Sequence, residues 1–95
     1  MLEQITDSTG NVFADLGFDA GEAAILHLRA QLMADLRDTI TATGMTQAQA
    51  ATQLGITQSR VSDLMRGKWQ KFSLEMLITL EARAGRRVTL ALSPA

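Results

Sequence analysis

The chain has 95 residues, a length that allows one small domain, and no cysteine, which excludes a disulfide framework and a cysteine zinc site. No apolar run approaches the ~20 residues a membrane helix needs, and MLEQITDSTG lacks the basic flank and apolar segment of a signal peptide, so a cytoplasmic protein is expected. The net charge of −1 is unevenly spread: residues 1–38 carry seven acids against two arginines, residues 39–71 four bases against Asp63, and residues 72–95 three arginines against two glutamates.

In chain order, residues 1–10 are expected to be a flexible lead. Asn11 to Leu16 predicts one or two helical turns, capped by Asn11 and stopped by Gly17. A long helix is predicted from Ala20 to Thr43, because Asp19 followed by Glu22 resembles a capping box and Gly44 closes the pattern. Within it Ile25, Leu28, Leu32, Leu36 and Ile40 recur at steps of three and four, making one apolar stripe. Thr46 with Gln49 caps the next helix, which ends at Leu54. Thr57 caps another, ending at Gly67, and Ser73 caps a last one with Leu74, Leu77, Ile78 and Leu80 apolar and Gly85 as its stop.

From Arg87 to Leu92 the period changes to alternation, with Val88, Leu90 and Leu92 on one face and Pro94 ending the element. A lone strand leaves its backbone groups unpaired and needs a neighbour. The expected neighbour is the same strand of a second copy across a two-fold axis; the competing arrangement pairs it with Glu3–Thr6 inside one chain.

Thr46 to Gly67, TQAQAATQLGITQSRVSDLMRG, reads as two short helices joined by a tight turn at Gly55. That is the helix-turn-helix pattern, whose second helix enters the DNA major groove. Ala51, four residues before the glycine, leaves room for a close crossing, and Ile56 and Val61 lock it apolarly. Val61 and Leu64 are assigned to the core. Gln58, Ser59, Arg60 and Ser62 are the exposed candidates, since Gln makes a bidentate contact to adenine and Arg to guanine. Asp63 either accepts from cytosine or pairs with a neighbouring arginine. Thr46, Gln47 and Thr57 lie at helix N-termini, where amides and polar side chains suit phosphate. Arg66, Lys68 and Lys71 would neutralise backbone charge, or else form a solvated loop.

Trp69, the only tryptophan, is read as a brace for the loop after the second helix of the pair. His27 has no cysteine or second histidine with which to share a metal, and the five methionines read as core filler. Neither a phosphate loop of the required spacing, a nucleophile elbow nor an HExxH appears, so no enzyme, cofactor or metal is expected.

These residues resemble a known family. The Thr46–Gly67 unit is similar to phage repressors in Gln47, Ala51, Gly55, Gln58 and Val61. The string Gly10-Asn11-Val12-Phe13-Ala14-Asp15-Leu16-Gly17-Phe18 resembles the opening of the HigA-type antitoxins within the Xre group. Phe72-Ser73-Leu74-Glu75 and Arg87–Leu92 follow in that branch's order, whereas Ser59 stands where many of its members carry proline. The resemblance implies an all-α, five-helix, phage-repressor-like helix-turn-helix domain over residues 1–95, with a short C-terminal strand paired across a dimer. It also implies a repressor that binds its own promoter on double-stranded DNA and neutralises a HigB/RelE-like toxin, a ribosome-dependent mRNA endonuclease encoded beside it. An RNA-cleaving toxin should present a basic face, which makes Asp15, Glu22, Asp35 and Asp38 candidates to meet it, with Phe13 and Phe18 as apolar anchors. The competing readings are that Val12, Phe13, Leu16 and Phe18 cover the domain's own core, and that the chain is a stand-alone phage- or plasmid-type repressor.

Overall fold

The computed structural model describes residues 12–94; the Asn11 cap, the 1–10 lead and the Glu3–Thr6 segment lie outside the described residues. The elements are α1 (Val12–Asp15), α2 (Ala20–Thr43), α3 (Gln47–Leu54), α4 (Gln58–Met65), a 3-10 turn (Trp69–Lys71) and α5 (Leu74–Arg83). Local chemistry sets each of the four long starts. Asp19, Thr46, Thr57 and Ser73 are extended, and their side-chain oxygens accept the N–H of the residue three positions on, at 2.8 to 3.1 Å. Each bond satisfies an N–H that the helix itself cannot. The Glu22 N–H holds the Asp19 carboxyl below its ordinary range. At Thr46 the box is reciprocal, with Gln49 Oε1 accepting the Thr46 N–H at 2.9 Å.

The ends of α3 and α4 are equally local. Gly55 and Gly67 take φ of 71° and 74°, a left-handed conformation that costs a side-chain-bearing residue roughly 1–2 kcal/mol. At each, the chain reverses so that the next N–H returns to the helix: Ile56 to the Ala51 carbonyl at 3.1 Å, Lys68 to the Asp63 carbonyl at 3.0 Å.

The long α2 packs along α5, α3 crosses α4, and α1 folds back on α2. The core joins Met33, Leu36 and Ile40 of α2 to Ala50, Leu54, Val61, Leu64, Phe72, Leu77 and Leu80. Burial of each leucine in it contributes about 2 kcal/mol.

Three expectations change. The α2 stripe enters the core only in its C-terminal half: Ile25 is exposed and Leu28 half-buried, because the first turns of α2 run past the small globule formed by α3 to α5. The helix expected to run to Gly67 ends at Met65, with Arg66 as its cap and Gly67 taking the left-handed turn beyond it. Among the described residues there is no strand, and residues 87–92 take no regular element. The alternation is present in the sequence, but a ladder needs a second strand and no described residue of the same chain supplies one.

Candidate nucleic-acid interface

Gly55, Ile56 and Thr57 turn α3 into α4, and the fully buried Val61 and Leu64 fix which side of α4 faces inward. Helical geometry then places Ser59, Ser62, Asp63 and Arg66 on the opposite side, with Gln58 exposed at the N-terminal end. Thr57 caps α4, so the helix begins at Gln58 with Ser59 as its second residue. The Thr46 and Thr57 side-chain oxygens accept helix N–H groups, while their O–H protons remain donors suited to a phosphate oxygen. Gln47 is exposed in the first turn of α3. Arg60 is placed differently from its neighbours: its guanidinium lies 4.6 Å from the centre of the Phe72 ring, on the flank of α4 rather than its tip.

The cations after α4 are organised around one acid. Lys68 Nζ lies 3.5 Å from Asp63 Oδ1, and Lys71 Nζ lies 3.4 Å from Asp63 Oδ2. Partial desolvation opposes the Asp63 charge, but the two lysines, Lys71 foremost, outweigh it and hold the carboxyl below its ordinary range. In the folded chain Asp63 pairs with cations, and the partners are two lysines where an arginine was expected. Arg66 is exposed beside them.

Two arginines that sequence reasoning did not single out also support this face. Arg37 of α2 brings Nη1 close to Gly67, within 3.4 Å of where a Cβ would stand. Arg83 of α5 donates from Nη1 to the Leu54 carbonyl at 2.9 Å, closing the C-terminal end of α3 just before the turn. Neither carries a local signal, because each acts on a segment about thirty positions away.

The other candidates disperse. Phe13 packs edge-on against Trp69 and Phe18, with ring centres 5.8 and 6.2 Å apart, so Trp69 braces α1 as well as its own loop. Val12, Leu16 and Phe18 do not cover the core; they are exposed. Phe18, Glu22, Ile25, Leu26, Arg29 and Trp69 line a cleft of about 330 Å³. Asp15, Glu22 and Asp38 are exposed, whereas Asp35 is half-buried and pairs with Arg86 Nη2 at 2.7 Å. Val88 is half-buried, and Leu90 and Leu92 are 69% and 90% exposed. No cluster of metal-ligating side chains and no helix long and apolar enough to cross a membrane occurs among the described residues.

Two short helices crossing at a left-handed glycine, with a polar second helix and cations behind it, define a helix-turn-helix DNA-binding regulator. A family model described as a helix-turn-helix domain matches residues 12–93, from the first residue of α1 into the C-terminal segment, and the chain belongs to that family. No curated protein matches the chain.

Proposed function

We propose that the chain is a dimeric, operator-specific autorepressor of the HigA antitoxin type, with a HigB/RelE-like toxin as its protein partner. One observation carries the DNA half: α4 exposes Gln58 and Ser59 at its tip and is followed by the cations Arg66, Lys68 and Lys71, while Val61 and Leu64 are fully buried. In this reading α4 enters the major groove and Gln58, Ser59 and Ser62 meet base edges. Thr46, Gln47, Thr57, Arg60 and the cations hold phosphates on either side. Leu90 and Leu92, left in solvent, support pairing of residues 87–92 with a second copy, which would place two α4 helices on two half-sites.

The toxin half draws support from the exposed Phe18 and Ile25, which line one cleft with the Glu22 carboxylate, and from the exposed Val12 and Leu16 of the N-terminal segment. Against it, Phe13 and Asp35 already have partners within the chain, which favours the stand-alone repressor as the second reading. Expression of the neighbouring reading frame, alone and with this chain, separates the two. Growth arrest alone, rescue together and a co-purifying complex are expected; a harmless neighbour with no complex selects the stand-alone repressor.

A further inference from the structure

We propose that Asp63 is a positioning residue for DNA, whose carboxylate draws Lys68 and Lys71 into one fixed pair and so sets where the phosphate backbone lies relative to α4. This rests on the reading that α4 enters the groove. Asp63 shares the outer side of α4 with Ser59, Ser62 and Arg66, yet its side chain is only 15% exposed, against 42% and 54% for the two lysines. Each carboxylate oxygen faces one ammonium group. Each oxygen keeps a second lone pair, but a cytosine amino group would have to share it with a lysine already seated there.

The tie extends to the main chain. The Asp63 carbonyl accepts the Lys68 N–H at 3.0 Å, so Lys68 is held to this one residue at both its backbone and its head. Lys71 donates its own N–H to the Lys68 carbonyl at 3.0 Å and its head to Asp63. The whole arc from residue 68 to 71 is thereby anchored on the helix that reads the bases.

Lysine is a point charge on a long flexible stem, and ordering that stem at the moment of binding is costly. Asp63 moves the ordering into the folded protein. Each ammonium group has three donors, so those not turned to Asp63 remain available for phosphate oxygens. The carboxylate also repels phosphate. It therefore weakens binding to any duplex while favouring the one whose backbone meets the lysines where they are held. The predicted effect is on specificity.

The test is equilibrium binding across a salt series, using a duplex that the wild-type chain selects from a random pool and a scrambled duplex of equal length. Asp63→Asn should bind the scrambled duplex more tightly and the selected duplex no more tightly. The ratio between them should narrow about tenfold, the weight of roughly one charge-assisted hydrogen bond. The loss should fall on all base-pair substitutions alike. Asp63→Glu, which keeps the carboxylate, should restore most of the ratio, and thermal melts should show both variants fully folded at the assay temperature, with at most a small drop in midpoint for Asp63→Asn. Replacing Lys68 and Lys71 by glutamine should reduce the log–log salt slope by about 1.8. An unchanged ratio in Asp63→Asn, or a preference lost at one base pair only, overturns the clasp and leaves the groove reading intact. A wild-type chain that selects no duplex overturns the groove reading, and the clasp falls with it.

Discussion

Glu81 is the residue with the least ordinary environment. It is 1% exposed at the seam between α2 and α5, and neither carboxyl oxygen has a hydrogen-bond partner among the described residues. Burial, reinforced by the neighbouring Asp35 carboxylate and only partly offset by Arg86, pushes its pKa up to about 8. The folded chain therefore keeps a proton that the unfolded chain releases near pH 4.5. The contribution of Glu81 to stability is fully present below that pH and is lost as pH rises through about 8. Glu81→Gln, which keeps the shape and cannot ionise, should stabilise the protein on the order of 2 kcal/mol at pH 7.5 and flatten the slope. Urea unfolding at pH 5, 6.5 and 8 measures this. Equal slopes for wild type and variant would show that Glu81 is not the group that titrates.

Among the elements, α3 and α4 matter most, and their caps do more than stop fraying. Thr46 and Thr57 fix where each helix begins, and that fixes which residues reach the tip of α4. Thr46→Ala removes one half of the capping box and should cost about 1 kcal/mol of stability, seen as a lower thermal midpoint. The tip itself is tested by Gln58→Ala. If Gln58 reads a base, operator preference should relax by roughly 1–3 kcal/mol at one position per half-site, with scrambled-duplex binding unchanged. Arg60→Ala provides the contrast: with its guanidinium on Phe72, it should weaken binding to all sequences alike. A base-specific loss from Arg60→Ala would mean the guanidinium leaves Phe72 on binding.

At the scale of the molecule, the C-terminal segment is the part that the proposed dimer would use. Among the described residues Leu90 and Leu92 are exposed and residues 87–92 have no ladder partner. Ile78, Ala82, Gly85 and Val88 line an open cleft at the start of this segment. The double variant Leu90→Asp, Leu92→Asp should leave the thermal midpoint of the helical core unchanged and shift sedimentation from dimer to monomer. Operator affinity should fall with it, because one half-site is read at a time. Wild-type protein sedimenting as a monomer at micromolar concentration would rule out the pairing.

The helix boundaries were legible in the sequence because their causes are local. Asp19, Thr46, Thr57 and Ser73 act on an N–H three residues away, and Gly44 and Gly55 act on the turn they occupy, so α2 and α3 run over the predicted spans and α5 begins where expected. The turn between α3 and α4, and the burial of Val61 and Leu64, follow from the same short-range chemistry. Tertiary structure alone decided the rest: which half of the α2 stripe is covered, that Arg83 closes α3 from 29 positions away, and that Arg86 reaches Asp35 across 51. It also placed Arg60 on Phe72 and gave Asp63 its two lysines. A cap bonds within one turn of chain, so its residues announce it. A long charged side chain takes whichever partner the packed helices bring within reach, and its own neighbours in sequence do not specify that partner.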